Sequence, residues 1–245
     1  MIQLMLLMSR YYNDKIIIVW QEVRFMKFVY DYEKNGELGK IQSVVLMSKS
    51  PRRRELLSFL NPILSSIDID ERAIEDRYMD LYKNDDFLIR AGKTCCEIAK
   101  GKSSISNLEP KTLYISSDTM VIIDDKIYGK PKDLDQAKAM FMSYFSKSHH
   151  VITSVCLRSE SYIDVFFTVA EVRFTDYYNS LDEVIDNYIN ENNVMDKAGA
   201  YGIQDLDPRL VSYICGDVNT IIGLPVAELS KRIGDKIWLS IYYGI

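Results

Sequence analysis

Apolar positions along this chain follow two rhythms, and the switches between them mark its elements. Val44-Val45-Leu46-Met47 is continuously apolar and predicts a buried strand. Behind it, Leu56, Leu57 and Leu60 recur at helical spacing and predict a helix over 51–60. A longer stripe of Phe87, Leu88, Ala91, Cys95, Ile98 and Ala99 predicts a helix over 85–105. Leu113-Tyr114-Ile115 and Met120-Val121-Ile122-Ile123 predict two short strands, one on each side of Ser116-Ser117-Asp118-Thr119. Asp124-Asp125 predicts a hairpin turn, and Gly129-Lys130-Pro131 ends the strand after it. Asp133 or Asp135 then opens a helix through Ala137, Met140, Phe141 and Tyr144. Segments 151–158 and 163–174 predict an antiparallel pair of strands. Ser180 and Glu183 have capping-box spacing ahead of a helix carrying Val184, Ile185 and Tyr188. A glycine-rich stretch at 197–202, a strand over 209–215 and a helix from Pro225 to Ile233 follow. Hairpins and crossovers both occur, so the expected fold class is α/β with a mixed sheet.

Ahead of residue 43 the pattern is weaker. Met1 to Met8 is apolar but too short to span a bilayer, and it lacks the basic flank and small-residue cleavage site of a signal peptide. Ile16 to Trp20 predicts a strand, and Asn35-Gly36 predicts a turn. The expected organisation is an N-terminal extension over 1–42, with no role to assign, and one domain over 43–245.

Composition narrows the function classes. With 245 residues, 47% hydrophobic and 27% charged, the chain has the make-up of an ordinary globular protein with ample core. A net charge of −5 argues against a general nucleic-acid binder but leaves room for a local basic pocket. The cysteines Cys95, Cys96, Cys156 and Cys215 form no CxxC pair, and only His149 and His150 could join them, so a structural zinc site is not expected. Without a visible disulfide framework, a reducing, cytoplasmic setting is the expectation.

The chemistry-bearing residues stand out against this background. Ser50-Pro51-Arg52-Arg53-Arg54 reads as an N-cap, a first-turn proline and three arginines. Cations at a helix start oppose the macrodipole, and a bound phosphate would resolve the conflict; a solvated basic face accounts for them equally well. Asp118, between apolar segments, is read as a magnesium ligand, a base for water, or an Asx turn. Lys130 is held between Gly129 and Pro131, where it could aim at a phosphate or simply face solvent, and Lys102 sits near a helix end, where a lysine ordinarily just complements the dipole. Asp70 and Glu71 form an acidic loop; most such pairs are simply solvated, but near the arginine turn these could help hold a divalent ion. Small residues after Asp196-Lys197 would let backbone approach a ligand closely or make a tight turn.

Taken in order, these segments resemble the Maf family of septum-formation-inhibitor-like nucleotide pyrophosphatases. The resemblance rests on 46–53 with Glu55-Leu56-Leu57, on Ser117-Asp118-Thr119 and on Gly129-Lys130-Pro131. It continues through 148–153, the long run 196–204, Gly216-Asp217 and Gly223-Leu224-Pro225, and so spans about residues 44–233. It implies an ITPase-like mixed twisted sheet with flanking helices and two lobes around a cleft. It also implies metal-dependent hydrolysis of nucleoside triphosphates to monophosphate and pyrophosphate, with Mg2+ or Mn2+ as the cofactor, nucleotide-pool sanitation as the setting and a homodimer as the assembly. By the same resemblance Asp118 would be the proton acceptor, Ser48, Arg52, Arg53, Lys102 and Lys130 would grip the phosphates, and Asp70 would help hold metal or water. Arg52, Thr119 and Gln204 resemble the branch acting on dTTP and UTP; the branch preferring 7-methyl-GTP typically has Trp at the first of these positions and Gln at the second. A glutamine amide would match the N3–H and O4 edge of uracil or thymine. No GxxxxGK[ST] pattern is present, which disfavours a P-loop enzyme.

Some positions depart from the family pattern. Met47 stands for the usual Ala and Ser116-Ser117 for Gly-Ala, both expected to add bulk near the cleft. Val218 replaces a common aromatic, and Ser146-Lys147-Ser148 replaces Ser-Gly-Arg. The alternative function is a non-catalytic nucleotide-binding regulator of cell division. Retention of Asp118, Lys102 and Lys130 favours the enzyme, because binding alone needs no base. Beyond the nucleotide and a second copy of the chain, neither nucleic acid nor a membrane is expected as a partner.

Overall fold

The computed structural model describes residues 27–191 and 194–237, together with the backbone of two more strands, β1 (Met5–Tyr12) and β2 (Lys15–Glu22). β1 and β2 pair antiparallel in a sheet of their own, and the strand expected at Ile16–Trp20 lies within β2.

The main sheet has eight strands. Its first is β3 (Val29–Gly36), followed by β4 (Ser43–Met47), α1 (Pro51–Leu56) and β5 (Ile63–Ser65). Two helices come next, α2 (Glu71–Leu81) and α3 (Phe87–Lys102). The hairpin of β6 (Thr112–Ile123) and β7 (Lys126–Tyr128) leads into α4 (Leu134–Met142). The long pair β8 (Ser148–Ser159) and β9 (Tyr162–Phe174) precedes α5 (Asp182–Glu191), β10 (Val211–Cys215), α6 (Val218–Ile222) and α7 (Val226–Ile233). Strand order is β10-β9-β8-β6-β4-β5, with β3 beside β9 and β7 beside β6. β4 runs parallel to β5 and β6 and every other pairing is antiparallel, so the sheet is mixed as expected.

β6 explains how the layers form. Its even positions Met120 and Ile122 pack with Ala91, Cys95 and Ile98 of α3, while odd positions face the other way. Val121 and Ile123 join Phe141, Tyr144, Phe174 and Tyr188 in one core, and Leu113 and Ile115 join Leu46, Leu57, Phe166 and Leu229 in another. A strand covered on both faces reads as one apolar run, and the two-residue alternation is visible only in the layers. α3 lies very close to the sheet at Gly92: a Cβ there would come within 2.4 Å of the Phe167 ring.

Four local expectations are corrected. Ser116–Thr119 is no break between strands but the middle of β6, paired with 153–156 of β8. Its serines remain in strand because their hydroxyls find carbonyls: Ser116 donates to Ala99 O at 2.6 Å and Ser117 to Gly223 O at 3.0 Å. The acidic loop runs directly into α2, which carries few apolar residues and has none fully buried. Ser180 does not cap α5; a 3-10 turn at Asn179–Leu181 takes it into the helical path. Asn35-Gly36 ends β3 rather than forming a free turn, with Gly36 paired to Tyr162. Among the described residues no helix is long and apolar enough to cross a membrane.

Candidate active site

The parallel pairing of β4 with β6 stops at Ile115, and β7 resumes on the same side only at Val121. Between these points β6 has no ladder partner on that side. A cavity of about 820 Å3 opens against this stretch, bordered by α1, α2 and α3 on one side and by the β7–α4 connection and the glycine-rich segment on the other. The loop after a parallel strand is a common place for a ligand site. Here that loop is Ser48-Lys49-Ser50, and it delivers α1 to the cavity.

Asp118 is at the centre. Its even position on β6 turns the carboxylate toward α3, where Lys102 Nζ donates to Oδ1 at 2.7 Å and Cys95 Sγ donates to Oδ2 at 3.5 Å. Cys95 and Lys102 are seven residues apart, two helical turns, and so share one face of α3. Burial pushes the Cys95 thiol well above its usual range, with the Asp118 charge adding to it, so the thiol is a donor at neutral pH. Burial alone would lower the Lys102 pKa; Asp118 and Glu71 outweigh it and hold the ammonium above the ordinary lysine value. Glu71 Oε1 is 3.0 Å from the same Nζ.

Arg53 borders the cavity with most of its donors already engaged. Its Nε donates to Gly223 O at 2.8 Å, one terminal nitrogen to Ser117 O at 2.7 Å and the other to Thr119 Oγ1 at 2.9 Å. Three of its five donors are thus spent on bracing β6 to the Gly223 turn, and at most two N–H remain for a phosphate. Burial lowers its pKa, and the attraction of Asp118 works against that. Ser50 caps α1, accepting from Arg53 N–H at 3.4 Å. Arg52 is freer: it faces the cavity, half-buried, with Asp196 3.7 Å away. Arg54 is exposed and stands outside the site.

The other expected residues divide. Thr119, Lys130 and Gln204 all border the cavity, Lys130 and Gln204 as exposed side chains. Ser48 is not at its surface; its hydroxyl accepts the Ser50 N–H at 3.2 Å and shapes the turn. Asp70 is not there either. Its carboxylate caps α2, accepting from Ala73 N–H at 2.9 Å, and it borders a separate depression with Arg77 and Lys100. An N-cap side chain folds back on its own helix, whereas Glu71 and Glu75, one turn apart on α2, are carried round to the cavity. Glu71 belongs to the acidic pair singled out in the sequence, whereas Glu75 and the Cys95 thiol were given no place in the site there. The i,i+4 spacing of Glu71 and Glu75 is a usable signal for the second glutamate once Asp70 is a cap. The substituted positions add no bulk in the cavity: Met47 packs with Val45 and Tyr114, and both serines point to backbone.

A hard cation suits this donor set. Glu75 is pushed up by burial and then by Asp118, Asp76 and Glu71, so carboxylates crowd one wall of the cavity. Among the described residues no three His, Cys, Asp or Glu side chains converge into a complete ion cage. Mg2+ ordinarily takes one or two carboxylates and completes its shell with water and substrate phosphates. Asp118 and Glu71 fit that pattern, with Glu71 in the place expected for Asp70.

Comparison with known proteins gives the family and its relatives. A family profile described as Maf-like protein matches residues 43–235. A dTTP/UTP pyrophosphatase of Pyrococcus furiosus is 33% identical over 195 residues, 79% of this chain and 95% of the relative. One from Pasteurella multocida is 35% identical over 79% of this chain and 96% of its own length. One from Clostridioides difficile is 31% identical over 83% of this chain and the whole of the relative.

Proposed function

The chain belongs to the Maf-like protein family, and from that membership we propose that it hydrolyses nucleoside triphosphates, dTTP and UTP foremost, to the monophosphate and pyrophosphate. The observation that carries this reading is the buried carboxylate of Asp118, clamped at 2.7 Å by Lys102 on the wall of a cation-lined cavity large enough for a nucleotide. A site that only binds phosphate has no use for a buried carboxylate facing the ligand. A base that must take a proton from water does.

In this mechanism Asp118 accepts a proton from a water molecule as the water oxygen bonds to the α-phosphorus. The bond from that phosphorus to the α–β bridging oxygen breaks, and the electron pair leaves with pyrophosphate. Lys102 fixes the orientation of the carboxylate and sets positive charge beside the reacting phosphate. Arg52 and Lys130 approach the triphosphate from opposite walls. A divalent ion held by Asp118 and Glu71 would neutralise charge gathering on the leaving pyrophosphate. Thr119 and Gln204 are assigned to base choice, and modified pyrimidines would enter the same pocket, in keeping with pool sanitation.

The test is a panel of canonical and modified nucleotides with magnesium or manganese, measuring pyrophosphate and orthophosphate separately in 18O-labelled water. Pyrophosphate is expected from dTTP and UTP, with the label in the monophosphate. Asp118→Asn should lower kcat by at least about 100-fold. Orthophosphate alone, or label in pyrophosphate, would refute the reaction; full activity of the Asn variant would refute the base. A Gln204→Ala enzyme that kept its UTP preference would remove Gln204 from base choice.

A further inference from the structure

The segment ahead of residue 43 lies outside the family match, yet β3 is built into the molecule. It pairs with β9 from Val29↔Thr168 to Gly36↔Tyr162. Along a strand, alternate side chains leave opposite faces. Asp31 accordingly reaches the α7 side, where Arg232 donates to it, and Tyr30 reaches the α3 side and stacks on Phe167 with centroids 4.7 Å apart. The register then slips between Asp31 and Glu33. Such a bulge re-aims side chains, and here it sends the consecutive residues Tyr32 and Glu33 toward the same helix.

Both grip the last turns of α3. The Tyr32 hydroxyl donates to Glu97 Oε1 at 2.5 Å and lies 2.7 Å from the Tyr82 hydroxyl. Glu33 Oε2 is 2.7 Å from Lys100 Nζ, which also pairs with Glu97 at 2.9 Å, and the Lys100 ammonium lies over the Tyr32 ring. These ties hold one side of α3 two residues before Lys102, whose ammonium leaves toward Asp118. A helix is stiff over so short a distance, about 1.5 Å of rise per residue. The clamp on Lys100 therefore limits where Lys102 can stand.

We propose that Tyr32 and Glu33 are positioning residues of the active site: through Glu97 and Lys100 they set the end of α3, and with it the Lys102–Asp118 contact. The N-terminal segment is thus a working part of the site although it reaches no substrate. This rests on Asp118 and Lys102 acting as described above.

In the full chain, Tyr32→Phe keeps the ring packing and removes its hydrogen bonds, and Glu33→Gln removes the charge facing Lys100. Displacements of an ångström at a reacting centre cost one to two orders of magnitude in rate, so the double variant should lose about five- to tenfold in kcat with KM within about twofold. Asp31→Asn loosens the same strand on the opposite face; it should lower the unfolding midpoint and leave kcat unchanged. A mutant cycle separates positioning from general loosening: in a Lys102→Ala background the Tyr32→Phe effect on kcat should disappear. Without nucleotide, amide exchange across 98–102 and acylation of the Lys102 amine should both quicken in the double variant. Unchanged kcat, an undiminished Tyr32→Phe loss beside Lys102→Ala, or unchanged exchange and acylation would each overturn the proposal. A parent protein that hydrolyses no nucleotide would instead overturn the function, and the exchange and acylation measurements would still decide whether β3 sets the end of α3.

Discussion

Arg52 and Arg53 are neighbours on the first turn of α1, but their guanidinium groups meet different surroundings. Arg53 is locked by Gly223 O, Ser117 O and Thr119 Oγ1. Gly223 O would keep its bond from Ser117 Oγ and Thr119 Oγ1 its bond with Thr153 Oγ1, so Arg53→Ala removes the guanidinium chiefly from Ser117 O, at about 1–3 kcal/mol, and stability and activity should fall together in thermal melts and assays. Among the described residues Arg52 pairs only with half-exposed Asp196, at 3.7 Å, and Arg52→Ala should melt like the parent but raise KM several-fold. A run of three arginines shows that charge is concentrated here; it does not show which guanidinium is spent on backbone. Burial also governs His149. The ring lies in the aromatic core with Nε2 2.7 Å from the Tyr201 hydroxyl, and burial, with His150 adding to it, lowers its pKa to about 3. The unfolded chain takes up this proton near pH 6.5 and the folded chain only near pH 3. Stability should therefore decline as pH falls through that window, by up to about 1.4 kcal/mol per pH unit. Urea unfolding between pH 7 and pH 4 should show the decline, flattened in His149→Phe.

α3 joins packing to chemistry at the level of the element. One face carries Ala91, Cys95, Ile98 and Ala99 into the core, and the same face ends in Lys102 at the site. Gly92 lets the helix approach β9, since a Cβ there would sit 2.4 Å from the Phe167 ring. Gly92→Ala should destabilise by about 1–3 kcal/mol in denaturant melts, because the ring or the helix must shift. This helix was legible in the sequence because its buried stripe is long and regular. α2 was not, since few of its positions are apolar and none of its residues is fully buried. β6 was seen as two strands because Ser116–Thr119 is polar, and hydroxyl bonds to Ala99 O and Gly223 O cannot be inferred from residue type.

For the molecule as a whole, the mixed sheet and most strand and helix positions could be read from pattern, and the family motifs named the segments that meet at the cavity. Convergence itself was not legible. Whether Asp70 or Glu71 faces the cleft depends on a single helical step, and whether Ser48 touches a ligand depends on where one N–H points. β3 left no signal of its place, because its pairing with β9 and its ties to α3 are contacts with residues far along the chain. The unladdered middle of β6 has one more consequence. Bare strand edges invite another extended chain to add itself, which is how sheet proteins aggregate. Here Arg53 already occupies Ser117 O, and α1, α2 and α3 wall the opening. An intruding strand would have to displace a guanidinium from a backbone carbonyl before making its first bond. The opening that admits a small anionic ligand is thereby guarded against polypeptide, and the protein keeps an interrupted sheet without offering it as a template for aggregation.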